Sequence, residues 1–253
     1  MKNLRLFNFH ANYLNNKFIM TRNELYPIAS TCLDDNDLHI DNMFEYVNYI
    51  ENPGGAWINT GIDYNNGYNY FEIKYKFNDL ARGDEIIIGH DGYVGNYTHT
   101  MLKYAYNNSS SSLANNLFYY CSWGSSTSNR TADKIDNQID LNPHTYKYVI
   151  STTGTASFYL DGTLLRTFNA SSLYQSAQTK HTYLFTYDNT GAYNFYGRIY
   201  YLKIWNAADN KVLHHLVPIR LMPGNSALQR YGFIDKITNK MYFSSTSVEF
   251  TGG

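Results

Sequence analysis

The stretch "YFEIKYKF" (70–77) decides the class of the fold. Phe71, Ile73, Tyr75 and Phe77 occupy one phase of a two-residue period, and Glu72, Lys74 and Lys76 occupy the other. Successive side chains on a strand leave from opposite faces, so this spacing predicts a strand with one face on a core and one in water. "TYKYVIS" (145–151) repeats the pattern with Tyr146, Tyr148 and Ile150. In "ASFYLDGTLLRTF" (156–168), Asp161-Gly162 separates two alternating runs. Asp-Gly enters positive φ cheaply, which predicts a tight type I′ hairpin.

"GRIYYLKIW" (197–205) is apolar in both phases: Ile199, Tyr201 and Trp205 in one, Tyr200, Leu202 and Ile204 in the other. That predicts a central strand covered on both sides. "VLHHLVPIRL" (212–221) reads as a further strand in which Pro218 marks an edge or an end. "YGFIDKITNKMYF" (231–243) reads as two short strands around Lys236–Lys240. The one short helix expected is "ANYLNNKF" (11–18), and "LYPIASTCLDDNDLHID" (25–41) suggests two short strands joined at Asp34–Asp37. Many short strands, frequent turn signals and almost no helix predict an all-β sandwich or jelly roll.

Composition sets outer bounds. The 253 residues fit one large all-β domain or two small ones. A chain of this size buries roughly three quarters of its unfolded surface, so its core needs no covalent staples. Cys32 and Cys121 are the two cysteines; they form no disulfide framework and no zinc motif, and they fit either two buried thiols, the plainer expectation, or a single disulfide. A net charge of −1, with 16% charged residues, argues against nucleic acid and acidic lipid as partners. No apolar stretch reaches membrane-spanning length, and the N-terminus lacks the apolar run of a signal peptide. The 26 tyrosines suit strands, and they also suit adhesive surfaces.

"YIENPGGAWINTGIDY" (49–64) resembles the opening strand pair of the laminin-G-like, concanavalin-A-like jelly rolls of gut bacteria and their phages; Tyr49, Ile50, Glu51, Gly55, Ile58, Thr60 and Gly61 carry the likeness. "FYLDG" (158–162), "GRIYYLKIW", "LVPIR" (216–220) and "GFIDKITNKMYF" (232–243) follow in the same order as in that family. The resemblance covers about residues 44–250 and implies a concanavalin-A-like (LamG-like) jelly-roll domain over 44–253. Residues 1–43 are similar to a short module of Bacteroides-phage virion and surface proteins, through Tyr26, Pro27, Ser30, Asp37 and His39. That implies an N-terminal extension used for anchoring, and a virion location. Within the family, Pro53-Gly54-Gly55 would turn the corner between an outer strand and the next, with Trp57 half-buried and one of Trp57 and Ile58 pointing inward.

The glucanase relatives of this fold carry E-x-D-x-E or E-x-D-x-x-E on one strand, and no such run exists here. Glu72 is followed by lysines, and the adjacent acids of "GDEIIIG" (83–89) point to opposite faces. There is no G-x-S-x-G turn, and the neighbouring His214 and His215 face opposite ways. The chain is therefore expected not to be an enzyme. No cofactor is expected, apart from a calcium ion conceivable at "YDNTG" (187–191), where turn formation by Asp188, Asn189 and Gly191 explains the residues equally well. For a ligand, the sequence points to Asp91, Tyr93 and Tyr97 with Asn96 in "HDGYVGNYTHT" (90–100), and to Tyr119 and Trp123 with Tyr120 in "FYYCSW" (118–123). Alternating aromatics also fill sandwich cores, so each of these has a packing explanation beside the binding one. The expected function is a non-enzymatic virion component of dimeric or trimeric form. It would contact other virion proteins and, as an alternative role, bind host surface glycan as a lectin; a polysaccharide depolymerase ranks last.

Overall fold

The computed structural model describes residues 18–20, 24–27, 44–64, 69–81, 84–91, 99–105, 116–122, 130–135, 140–153, 155–169, 180–188, 190–191, 193–221 and 230–253. These form nineteen strands and no helix. In chain order they are β1 (Phe18–Met20), β2 (Glu24–Pro27), β3 (Phe44–Tyr46), β4 (Ile50–Glu51), β5 (Ile58–Tyr64), β6 (Asn69–Phe77), β7 (Glu85–Asp91), β8 (His99–Ala105), β9 (Asn116–Ser122) and β10 (Arg130–Ile135). They continue as β11 (His144–Ile150), β12 (Thr155–Leu160), β13 (Thr163–Asn169), β14 (Lys180–Leu184), β15 (Gly197–Asn206), β16 (Val212–Leu221), β17 (Arg230–Asp235), β18 (Met241–Phe243) and β19 (Thr251–Gly252).

The strands make two antiparallel sheets of the jelly-roll sandwich. The larger runs β1-β2-β18-β17-β16-β15-β6-β11-β12-β13, with β3, β4 and β19 paired beside this path, and the smaller runs β10-β9-β8-β7-β14-β5. The expected helix at 11–18 falls outside the described residues except for Phe18, which begins β1. The strand expected from residue 25 is present as β2, which pairs with β18 through Leu25↔Met241 and so adds the N-terminal strands to the larger sheet.

The alternation in β6 does what its spacing predicts. Phe71, Ile73, Tyr75 and Phe77 are buried, and so are Tyr146, Tyr148 and Ile150 of β11. Ile58, Ile62, Tyr64, Leu102 and Tyr104 come down from the smaller sheet to meet them. Rings interlock across the gap: Tyr64 meets Phe71 edge-on at 6.1 Å, and Phe77 lies 5.2 Å from Tyr104. Each such side chain contributes roughly 1.5–3 kcal/mol of burial, and the edge-on geometry adds to it. At the β16–β18 end the larger sheet is apolar on both faces. Leu216, Phe233 and Tyr242 join the main core, while Ile219, Ile234, Met241 and Phe243 form a second cluster.

Pro53-Gly54-Gly55 carries the chain from β4 of the larger sheet to β5 of the smaller, with φ of +127° and +84° at the two glycines. Those angles are costly for residues with a Cβ. Buried Asn52 organises the corner: its Oδ1 accepts hydrogen bonds from the Gly54 and Ala56 amides at 2.9 and 3.1 Å, and its Nδ2 donates to the Phe195 carbonyl at 2.8 Å. Ile58 is fully buried, and Trp57 is half-buried against the core and Tyr183, as expected. Asp161 and Gly162, with φ of 50° and 80°, close the β12–β13 hairpin.

Two expectations need correction. Pro218 marks neither an edge nor an end: β16 is paired on both sides. Proline is accommodated because it falls between the last β15 partner at Leu216 and the first β3 partner at Ile219, where that side of β16 changes neighbour. β15 is central in the sheet, as expected, but it is not covered on both sides, since Tyr201, Lys203 and Trp205 on its outer face are only half-buried, and its face assignment shifts. A bulge against β6 between Ile199 and Tyr201 changes the phase. Tyr200 and Tyr201 are both half-buried, whereas Ile199, Leu202 and Ile204 are fully buried.

Replacing Asn52 by Ala leaves two amides and one carbonyl in the corner without partners, and should lower stability by about 2–3 kcal/mol. A urea unfolding series should show this as a lower midpoint at unchanged slope.

Candidate ligand-binding face

Turning one phase of β6 and β11 to the core turns the other phase outward, and the register then decides which outward residues become neighbours. Lys203 of β15 pairs with Glu72 of β6 and with His215 of β16. Glu72 pairs in turn with Lys147 of β11, and Lys147 with Tyr159 of β12. A row His215–Lys203–Glu72–Lys147–Tyr159 thus crosses five strands on one face. The next positions along β6 bring Lys74 beside Tyr201 and Thr145, then Lys76 beside Arg198. At the other end Tyr70 pairs with Trp205.

The side chains of this face hold one another. Tyr70 and Trp205 stack with centroids 5.1 Å apart and planes 8° from parallel. The Tyr70 hydroxyl donates to Asn210 Oδ1 at 3.0 Å. Lys147 Nζ lies 5.1 Å from the Trp205 ring centroid and 3.7 Å from Glu72 Oε2. Tyr201 donates its hydroxyl to Glu72 Oε1 at 2.8 Å, and Lys203 lies 5.3 Å from the Tyr201 ring. Lys74 sits 5.3 Å from the Tyr200 ring, and Tyr200 is 5.8 Å from Tyr49. Arg198 covers Tyr49 at 4.1 Å and bonds Glu51 at 2.7 Å. Burial, followed by the bond to Glu72, pushes the Tyr201 phenol up to about 12. It therefore remains a neutral donor across the physiological range.

Two further constellations serve turns. Asp235, fully buried, accepts hydrogen bonds from His214 Nδ1 at 2.7 Å, from the amides of His215 and Ile237 at 2.9 and 3.0 Å, and from the Thr238 hydroxyl at 2.8 Å. Burial alone would raise its pKa, but these donors carry it below the usual carboxylate value. His144 is held between two acids, with Nδ1 2.7 Å from Asp161 and Nε2 2.9 Å from Asp140. It thereby ties the start of β11 to the β12–β13 hairpin.

At the loop considered for calcium, Asp188 Oδ1 accepts from the Thr190 amide and hydroxyl at 2.8 and 2.6 Å, which is turn chemistry. Among the described residues, no group of three or more His, Cys, Asp or Glu side chains is placed to hold a metal. His214 and His215 are both drawn to Asp235, one by its ring and one by its amide.

Of the sequence-predicted ligand residues, Asp91 ends β7 opposite His99 and His181, and Tyr119 lies in β9 opposite Leu102 and Asp133. Both belong to the smaller sheet. Tyr93, Asn96, Tyr97 and Trp123 lie outside the described residues. The outer face of the larger sheet is legible in the sequence only in pieces: the alternation of β6 marks its wet phase, but nothing local joins it to Lys147, Tyr201, Lys203 and Trp205. Charged residues in matching phases of two separate strands were the available signal.

No protein-family model matches the chain, and no curated protein matches it. Solved structures of similar fold include the CBM40 of an IT-sialidase from Ruminococcus gnavus bound to α2,3-sialyllactose, at 14% identity and TM-score 0.46, covering 68% of this chain and 92% of that one. A heptameric SAP-like pentraxin from Limulus polyphemus aligns at 13% identity and TM-score 0.44 over 67% of this chain and 78% of that one. A glycosyl hydrolase family 16 protein from Mycobacterium smegmatis aligns at 18% identity and TM-score 0.43 over 62% and 73%. At these identities the likeness concerns the fold alone.

The His144 clamp has a pH signature. Burial disfavours its charged form, but Asp161 and Asp140 outweigh this and raise its pKa above the ordinary value. Its contribution is therefore complete below the unfolded histidine value and is lost as pH rises through the folded one. Asp140 works from the acid side: hydrogen bonds from Asn142 and His144 depress its pKa, so its contribution is lost as pH falls through that depressed value. Comparing urea midpoints of the wild type and His144→Gln should show a gap that is full below the ordinary histidine value and narrows as pH rises through the raised one.

Proposed function

We propose that this chain is a non-catalytic adhesion module that binds surface glycan through the outer face of its larger sheet. The observation that carries the reading is the ordered row of tyrosine, tryptophan, lysine and glutamate side chains across β15, β6 and β11. Glycan sites combine aromatic surface with a few fixed polar groups. Here Tyr201, Glu72 and Lys147 supply donors and an acceptor already held by one another, so little order need be created on binding. Three carboxylates of the larger sheet are held in structural roles, which supports a binding role over hydrolysis: Glu72 is engaged by Tyr201 and Lys147, Glu51 by Arg198 and Asn78, and Asp235 by a turn.

The resemblance of residues 1–43 to a phage virion module extends this reading: the jelly roll is the displayed part of a virion protein, and many weak contacts act together through avidity. Asp91 and Tyr119, which lie in strands of the smaller sheet, form a second proposed contact region together with Tyr93, Tyr97 and Trp123.

An array of host-surface glycans probed with the full chain tests the reading. Binding is expected, and Tyr201→Phe should weaken it about fivefold to tenfold by removing one hydrogen-bonding hydroxyl from the face. A parallel Trp123→Ala variant separates the two regions, and loss only in that variant would move the site to the second region. An array without any binder would defeat the reading. Mass spectrometry of purified phage particles tests the virion role separately.

A further inference from the structure

Resting on the glycan-binding function proposed for this face, we infer that its ligand is a linear polysaccharide carrying carboxylates, a polyuronate-type chain, read by a cationic lattice of Lys74, Lys147, Lys203 and their neighbours.

The inference comes from how the cations are held. The outer positions of β6, β11 and β15 include Lys74, Lys76, Lys147, Arg198 and Lys203, against Glu72 in the same set and Glu51 at its border. Five cations therefore face two carboxylates, in a chain whose net charge is −1. Lys74, Lys147, Lys203 and Arg198 each lie over an aromatic ring: Tyr200, Trp205, Tyr201 and Tyr49 respectively. A ring orients a cation through its quadrupole but does not cancel its charge. The rings thus fix where the ammonium groups stand while the face stays positive.

Spacing adds specificity. Lys203 and Lys147 flank Glu72 on either side, two strand intervals apart, which is about 10 Å. Lys74 stands about 7 Å from Glu72 along β6. Glu72 between the two lysines also bars a continuous run of negative charge, so anions must come at intervals. Carboxylates spaced along a sugar chain, with neutral hydroxyls between them for Glu72 and Tyr201, match that pattern. The groups around His215 reinforce the sign of the field: burial first, then Lys203 and Lys236, depress its pKa, so it stays neutral and adds no charge of its own near neutral pH.

Nucleic acid is the competing polyanion, and the arrangement disfavours it. Single strands bind by stacking bases on open rings, whereas here cations lie over the rings. Phosphate recognition also favours forked Arg contacts, and the one arginine of this set is bonded to Glu51.

The test uses the full chain with oligogalacturonate, a neutral β-glucan oligomer and single-stranded DNA as probes, measured by calorimetry at two salt concentrations. Oligogalacturonate should bind and should weaken as salt rises. The triple variant Lys74→Gln, Lys147→Gln, Lys203→Gln keeps the side-chain stems over the rings; it should lose about tenfold or more and most of the salt dependence. Its circular dichroism and urea midpoint establish that it is folded. Binding of the neutral oligomer without oligogalacturonate would overturn this inference while leaving the glycan-binding function standing. Failure of both sugars would overturn this inference and leave the glycan-binding function to the array alone. Preference for DNA over oligogalacturonate, or undiminished binding by the folded triple variant, would also overturn it.

Discussion

The pleat of β6 is the constraint on which the rest depends. It sends Phe71, Ile73, Tyr75 and Phe77 into the sandwich and, by the same geometry, Glu72, Lys74 and Lys76 to the outside. A slip of one residue would bury two lysines and a glutamate without partners, at a cost no local rearrangement could offset. The register of β6 with β15 and β11 is therefore strongly specified by burial, and the outer neighbours follow from it. Glu72 meets Lys147 and Lys203 because Phe71, Tyr148 and Ile204 must stay inside.

Polar side chains hold the corners that the sheets themselves cannot. Asn52 satisfies the backbone of the Pro-Gly-Gly turn, Asp235 that of the turn between β17 and β18, and the His144 clamp ties the hairpin beside β11. Asn52 and Asp235 are buried and multiply hydrogen-bonded, where loss of one partner is costly because others are left unmatched. Acids used in this way are bound to the architecture. Glu72 differs, because its partners Tyr201 and Lys147 are themselves half-buried residues of an outer face.

The bulge in β15 connects fold and face. An extra residue in one strand of an antiparallel pair bends the ladder and re-aims side chains. Here it lets Tyr200 and Tyr201 follow each other without either being fully buried, so one tyrosine meets Lys74 and the other Glu72 and Lys203. Strict alternation would have placed one of the two rings in the core.

What the sequence determined by itself is the local part. The two-residue rhythm of β6 and β11, the Asp161-Gly162 hairpin and the corner at Pro53–Gly55 depend on residues adjacent in the chain, whose pleat and φ preferences act over short range. Sheet order, the accommodation of Pro218, the phase change in β15 and the assembly of Glu72, Lys147, Lys203 and Trp205 were decided by tertiary structure. The pairings of β6 with β11 and β15 join residues about 70 to 135 positions apart, and only the burial of both inner faces at once selects that register.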